Sequence, residues 1–229
     1  MEKLPLYIGL VFGLTTLLTV FLFYKAGKKF KILLIVTGLW IALQSLLAIT
    51  GFYEVPMTLP PRFLLAIAPP LLVIAFLFST IKGRRFLDQF TPGALTLLHV
   101  VRIPVELVLW WLSVYKWVPV MMTFEGRNLD IFCGITAPLI WYWGYRNHRL
   151  GKKLLIAWNM LCIVLLMNIV IIALLSAPVP FQQLSFDIPN KAILHFPFLL
   201  LPAVVVPIVL LAHLICLRNL LYSGRAVAK

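Results

Sequence analysis

Seven long apolar runs are the feature that most constrains how this chain folds. Each is close to the roughly 20 residues that an α-helix needs to cross a hydrocarbon core about 30 Å thick. The runs show almost no polar face for water, and only 12% of the residues are charged, with a mean hydropathy of +1.03. We therefore predict an all-α, polytopic transmembrane helix bundle of about seven helices, near residues 6–24, 32–50, 63–81, 93–115, 129–145, 154–176 and 192–217.

The basic residues between these runs predict the orientation of the bundle. Short loops rich in Lys and Arg stay on the cytoplasmic side, and 14 of the 20 basic residues fall in the first, third and fifth connections and in the C-terminal tail. Five others share the opposite side with five of the seven acids. The N-terminus is predicted outside and the C-terminus in the cytoplasm, in a plasma or bacterial cytoplasmic membrane.

The same distribution explains the net charge of +13. The charge follows the loops of a membrane protein and forms no separate basic region, so we expect no nucleic-acid partner. The connections are at most about 15 residues long, which leaves no room for a soluble domain. Residues 1–229 are thus predicted to form a single integral membrane domain.

Ionisable residues inside the predicted spans are concentrated in the fourth helix. At 100° per residue, His99, Arg102 and Glu106 fall within an arc of about 60°, and charges at this depth are costly unless they face protein or water. Arg102 and Glu106, four residues apart, are predicted to pair along the helix. Pro104 is expected to leave the Val100 carbonyl free and to kink the helix. The stripe is either a site on a solute or proton path or a structural clamp with His99 as a bystander.

Three further polar residues complete the predicted intramembrane site. Gln44 in the second helix and Asn168 in the sixth lie at about the depth of Glu106, so they are its expected partners, although single amides are also common between packed helices. His195 lies one turn inside the outer end of the last helix, which three prolines are expected to break or bend. His213, near the inner end of that helix, is expected at the interface.

The outer loop after the fourth helix brings four charged or amide residues close together: Glu125, Arg127, Asn128 and Asp130. One interpretation is a recognition loop. The favoured interpretation is a turn at Gly126, with Asn128 or Asp130 capping the fifth helix and Trp117 anchored among lipid headgroups.

No motif in the chain identifies a reaction. Metal-binding His-Glu-x-x-His and hydrolase Gly-x-Ser-x-Gly patterns are absent, and the three cysteines fall inside predicted spans without metal-ligand spacing. We therefore expect no catalytic residue, metal or cofactor. The polar stripe and the proline-rich helices favour a small-solute or proton-linked transporter; the alternatives are an accessory, binding or assembly subunit of a membrane complex and a membrane-embedded lipid-modifying enzyme. The expected partners are the lipid bilayer, a small-molecule or proton substrate, and further copies of the chain or a membrane complex.

Overall fold

The described part of the chain folds into helices joined by short connections, without strands. The structure is a computed structural model that describes residues 4–27, 30–55 and 60–222. Its α-helices are α1 (Leu6–Ala26), α2 (Lys31–Ile49), α3 (Leu64–Ser79), α4 (Ile81–Leu87), α5 (Pro92–Leu98), α6 (Arg102–Val114), α7 (Ile131–Ile140), α8 (Lys152–Leu175) and α9 (Val206–Tyr222).

Five of these helical stretches are long and apolar enough to cross a membrane. They cover Leu6–Ala26, Lys31–Ile49, Pro92–Val114, Lys152–Leu175 and Leu201–Tyr222. The pair α3 and α4, bent by 100° at Thr80, makes a sixth if it is counted as one span. The prediction of an all-α fold is therefore confirmed for the described residues, and their five or six candidate spans are consistent with a multi-pass membrane protein. The fifth predicted run falls short because α7 has only 10 residues before a π-helical segment, Trp141–Arg146.

The central span consists of two α-helices joined by one tighter turn. It begins with Pro92 at the first helical position, where a missing N–H costs nothing. The 3-10 segment His99–Val101 separates α5 from α6. Pro104 explains this change of winding, because it has no N–H to donate to the carbonyl of Val100 and the preceding turn tightens. The predicted irregularity at Pro104 is thus a change of winding within one 23-residue span.

The last span is broken, as the prolines predicted. Ala192–Leu194 forms a 3-10 turn, and the membrane helix begins later than expected, with the π-helical segment Leu201–Val205 running directly into α9. Pro207 has no N–H for the carbonyl of Ala203. The indole nitrogen of Trp40 on α2 donates to that carbonyl at 3.0 Å.

The spans differ in how much of their surface is covered by protein. The central span packs against α1, α7 and α9, and α9 also packs against α8. In the span formed by α9 and its π-helical start, 61% of the residues in the most apolar stretch are buried, whereas in α2 the share is 17%. The outward faces carry large apolar side chains, as expected where lipid is the solvent. The polar residues of the central span are therefore enclosed by protein.

Candidate functional site: a buried polar cluster

The centre of the cluster is an ion pair between α6 and the start of α7. Nη1 of Arg102 lies 3.2 Å from Oδ1 of Asp130, and both side chains are almost fully buried. Nη2 of Arg102 also lies 3.5 Å from the carbonyl oxygen of Cys162 on α8. The predicted Arg102–Glu106 pair is wrong, because the outer loop brings a carboxylate from another element to the guanidinium.

Glu106, one turn further along α6, instead binds the outer loop. Its Oε1 accepts a hydrogen bond from Nδ2 of Asn128, which also donates to the carbonyl of Met122 at 3.0 Å. Glu106 is 1% exposed, and its Oε2 has no hydrogen-bond partner among the described residues. Half of this carboxyl group is therefore fixed by the loop and half is unsatisfied.

The cluster holds more carboxyl groups than cations. Arg102 is its one permanently charged cation, while Asp130 and Glu106 both lie within its electrostatic reach. If both carboxyls were ionised, the cluster would carry an excess negative charge in a region of low dielectric constant, which is strongly unfavourable. One of the two carboxyls is expected to hold a proton, and Oε2 of Glu106 is the oxygen without a competing partner.

A tight turn brings the outer loop to this position. The amides of Gly126 and Asn128 both donate to the carbonyl of Thr123, at 2.9 and 3.2 Å. A Cβ at Gly126 would lie 2.3 Å from the carbonyl oxygen of Val120 and 2.6 Å from Cα of Met121. Only glycine therefore allows the two limbs of the loop to approach so closely.

The loop enters the bundle well below its outer end. Glu106 lies eight residues before Val114, the last residue of α6, a rise of about 12 Å. Because Asn128 reaches Glu106, the N-terminus of α7 lies at this depth and not at the surface. Non-helical backbone at membrane depth is tolerated where it is covered by protein, and Thr123, Asn128 and Asp130 are buried.

A second group of polar side chains lies one turn before Arg102 in the central span. The rings of His99 and His213 stack with centroids 3.7 Å apart and planes at 12°. Trp158 of α8 stands beside both rings, at centroid distances of 5.7 and 5.6 Å. Nδ1 of His213 lies 2.9 Å from Oδ1 of Asn159, and Nδ2 of Asn159 donates to the carbonyl of Leu155 at 2.8 Å.

Polar groups continue from the imidazoles towards the other end of the span. Thr96 and Cys216, each three residues from one of the histidines, face each other with Oγ1 and Sγ 4.0 Å apart. The buried hydroxyl of Tyr145, on the π-helical segment after α7, lies beside both. These groups extend the cluster by one further turn.

Two of the predicted partners of Glu106 lie elsewhere. Gln44 is buried, but its Oε1 accepts from the hydroxyl of Tyr53, and Asn168 donates to the carbonyl of Arg127 at 2.9 Å. Neither residue is the partner of Glu106, because an estimate of depth along a helix does not fix which way the helix faces. Burial raises the pKa of Tyr53, which lies just beyond α2.

His195 was also wrongly assigned to the intramembrane site. Its Nδ1 lies 3.0 Å from Oε1 of Glu54, and its ring packs on Trp117 at 5.1 Å. The break in the last span explains the error, because His195 precedes the membrane helix instead of lying within it.

The outer loop divides into an exposed and a buried pair. Glu125 and Arg127 are exposed, whereas Asn128 and Asp130 are buried in the cluster. Asp130 occupies the N-cap position of α7 without a side-chain cap bond, and Asn128 accepts from the amide of Asp130 at 3.0 Å. The capping interpretation therefore holds for Asn128, whose Oδ1 accepts from a backbone amide at the start of α7. It is wrong for Asp130, whose carboxylate pairs with Arg102 instead.

The sequence analysis did not assign six members of the extended cluster to a site: Thr96, Tyr145, Trp158, Asn159, His213 and Cys216. His213 is 0% exposed and does not lie at the interface. The available signal was that an ionisable residue within an apolar run is a candidate for function by default. The pairing itself had no signal, because His99 and His213 are far apart in the chain.

A partly open apolar cavity of about 230 Å³ borders the cluster. Val105 and Met122 line it. Val105 precedes Glu106 in the sequence, and the carbonyl of Met122 accepts a hydrogen bond from Asn128. Asn190 contributes the polar part of its wall. A small apolar solute would fit there, close to Glu106.

The described residues contain no group of three or more His, Cys, Asp or Glu side chains arranged to hold a metal ion. All three cysteines are buried and unpaired. The chain matches no protein-family model, no curated protein and no solved structure. Its function is therefore argued from the geometry of its own residues.

Proposed function

We propose that this chain is a proton-linked transporter of the cell membrane that crosses the bilayer seven times, with the N-terminus outside and the C-terminus in the cytoplasm. The observation that carries the proposal is the buried cluster in which Glu106 and Asp130 share the single cation Arg102. Such a cluster binds and releases a proton at membrane depth, and intramembrane carboxyl groups are typical of proton pathways.

Contacts among the basic connections support seven crossings. The amide of Thr91, in the third connection, donates to the carbonyl of Ala26 at the end of α1, at 3.0 Å. Arg218, at the end of the last span, binds Asp88 through two hydrogen bonds of 2.8 and 3.0 Å. These segments belong to the predicted cytoplasmic side. Because the end of the first span and the end of the last span lie at the same end of the bundle, the number of crossings is odd, as it is for seven.

The opposite connections likewise contact one another. The amide of Lys191 donates to the carbonyl of Trp117 at 3.0 Å, and His195 pairs with Glu54. The second, fourth and sixth connections thus meet at one end of the bundle, the end that is poor in basic residues.

The short α7 is compatible with a crossing because the outer loop completes it. The π-helical segment after α7 brings Tyr145 against the start of the central span, where a Cβ on Gly93 would lie 3.1 Å from Cβ of Tyr145. At the other end the loop residue Arg127 is exposed next to the buried Asn128. Loop and helix together connect the two ends of the bundle.

The same loop supports access to Glu106 from outside. Exposed Arg127 is adjacent in sequence to Asn128, which holds Oε1 of Glu106. An exposed position of the loop therefore lies one residue from the cluster, and a displacement of the loop would open the carboxyl group to water.

Proton flux into vesicles tests the proposal. The purified protein is reconstituted into potassium-loaded liposomes that contain a pH-sensitive dye, and valinomycin then creates an inside-negative potential. We expect faster acidification than in protein-free liposomes, and we expect Glu106→Gln to abolish the difference.

Glu125→Gln is the matched control, because the same chemical change is made at an exposed position of the outer loop. It should acidify the vesicles like the unaltered protein. Acidification by the unaltered protein no faster than in protein-free liposomes would overturn the proposal, as would full activity in Glu106→Gln.

A further inference from the structure

A column of polar side chains continues from the Glu106 cluster towards the cytoplasmic end proposed above. Its members come from α5 and the adjacent 3-10 turn, the π-helical segment after α7, α8 and α9, and we call it the inner column: Thr96, His99, Tyr145, Asn159, His213 and Cys216. On the basis of the proposed function, we propose that the stacked pair His99–His213 binds one exchangeable proton and is the protonation site between Glu106 and the cytoplasm.

The hydrogen bonds of Asn159 determine where that proton binds. Because its Nδ2 donates to Leu155, its Oδ1 is the acceptor that faces Nδ1 of His213. Neutral His213 therefore carries its hydrogen on Nδ1 and has a free lone pair on Nε2. That Nε2 is buried and has no hydrogen-bond partner among the described residues, so it is the basic atom that accepts an incoming proton.

His99 supplies the second ring of the pair. It is 0% exposed, and neither of its ring nitrogens has a hydrogen-bond partner among the described residues. A buried polar atom without a partner costs roughly 1 to 3 kcal/mol. If His99 served only to pack against its neighbours, an apolar ring would be more stable at this position. Its two nitrogens without partners therefore favour a site that exchanges protons with entering water.

The stacking limits the pair to one proton. With ring centroids 3.7 Å apart, two imidazolium charges in a dry core would repel strongly. Protonation converts one ring into an imidazolium, and deprotonation returns the proton to water and restores the neutral pair. The proton count therefore changes by one per cycle.

Charged and titratable groups surround the pair on all sides. Arg102 follows His99 in the same span, and the carboxyls of Asp130 and Glu106 lie close enough to offset its charge. The remaining titratable groups nearby are the thiols of Cys133 and Cys162, which pack with Trp158, and the thiol of Cys216 and the hydroxyl of Tyr145, which lie beside Thr96. Deprotonation of the cluster carboxyls would thus favour proton binding by the imidazoles, which couples the two sites.

The spacing of the column fits stepwise transfer. Thr96, His99 and Arg102 follow one another at intervals of three residues, a rise of about 4.5 Å each. From His99 to Glu106 the rise is about 10 Å, so this step needs one or more water molecules, because a direct hydrogen bond spans about 3 Å. Such a route is inherently gated by hydration.

Fluorescence of Trp158 tests the proton site without relying on transport. An imidazolium quenches a neighbouring indole, and Trp158 stands beside both rings. The Trp158 contribution is obtained in detergent by subtracting the emission of Trp158→Phe. We expect it to decrease as the pH is lowered from about 8 to about 4, a range that includes the ordinary imidazole value of about 6.5 and extends well below it.

The double variant His99→Gln, His213→Gln should lose this pH dependence, and His148→Gln, altered at an exposed histidine, should keep it. If the double variant does not fold, ¹⁵N-histidine NMR of the unaltered protein, which has four histidines, should show one buried ring site titrating in the same range. A pH-independent Trp158 signal, a pH dependence that persists in the double variant, or an NMR spectrum without a titrating buried ring would overturn the proposal.

The two proposals fail in different ways. Absence of vesicle acidification with the unaltered protein, together with normal Trp158 quenching, would remove the transport function and retain the proton site. Acidification that persists in a folded His99→Gln, His213→Gln variant would instead overturn the role of the pair on the proton route and leave that of Glu106 intact.

Discussion

At the residue scale, the identity of Arg102's partner decides how the buried charges are stabilised. A pair within one helix would be formed before the helices pack, whereas the observed partner Asp130 comes from the far side of a loop. The ion pair therefore holds the start of α7 against α6. A buried charge that loses its partner is strongly destabilising, while an apolar pair of similar volume is often tolerated.

This geometry predicts the outcome of a double-mutant cycle. Arg102→Met and Asp130→Leu should each lower stability by about 3 to 5 kcal/mol, and the double variant should lose less than the sum, with a coupling energy of about 0.5 to 3 kcal/mol. Thermal unfolding in detergent measures the four proteins. The cycle Arg102→Met with Glu106→Leu should show a smaller coupling, and equal coupling in both cycles would contradict the assigned partner.

At the element scale, the close approach of α7 to α6 is what positions the cluster. A Cβ at Gly134 on α7 would lie 2.8 Å from Cγ1 of Ile103, 3.1 Å from its amide nitrogen and 3.3 Å from Cβ of Arg102. Glycine at this position therefore allows the two helices to touch beside the ion pair. Small residues play this part widely in membrane proteins, because packing replaces the hydrophobic effect between helices.

Gly134→Ala should therefore separate α6 from α7 and lower stability by about 1 to 3 kcal/mol. Vesicle acidification should fall as well, since Arg102 and Asp130 would move apart. Gly13→Ala on α1 is the matched control: a Cβ there meets nothing within 4 Å, and alanine favours the helix by up to about 1 kcal/mol. Thermal unfolding compares the two, and a similar response would rule out the close helix contact as the cause.

At the scale of the whole molecule, the connections separate by charge into two groups, and several members of each group contact one another, as Thr91 contacts Ala26 in one and Lys191 contacts Trp117 in the other. One group is basic and carries Arg84 and Arg149, and the other carries Glu125 and Asp187. This distribution predicts that the basic connections lie in the cytoplasm. The orientation can be tested without knowledge of the substrate.

Single cysteines should therefore report the two sides in intact cells. We expect cysteines replacing Glu125 and Asp187 to react with a membrane-impermeant thiol reagent, and cysteines replacing Arg84 and Arg149 to react only after the cells are opened. The native cysteines are buried, so the unaltered chain serves as the unlabelled control. The reverse pattern would overturn the orientation and, with it, the direction of the inner column.

The sequence by itself predicted that the helices face lipid, and it located most of the candidate spans and the polar stripe of the central helix. These are local properties: hydropathy is read within about 20 residues, and His99, Arg102 and Glu106 share a face because of helical geometry. The same reasoning located the irregularities at Pro104 and in the last span, since a missing N–H acts on its own turn.

Only the tertiary structure decided which groups these polar residues meet. Asp130 and Asn128 reach the cluster because the outer loop turns at Gly126 and enters the bundle, and His213 stacks on His99 because α9 packs along the central span. Depth along a helix can be counted from the sequence, but the direction in which a helix faces and the path of a loop depend on packing between distant segments. That is why Gln44 and Asn168, which were expected to contact Glu106 because of their estimated depth, contact Tyr53 and Arg127 instead.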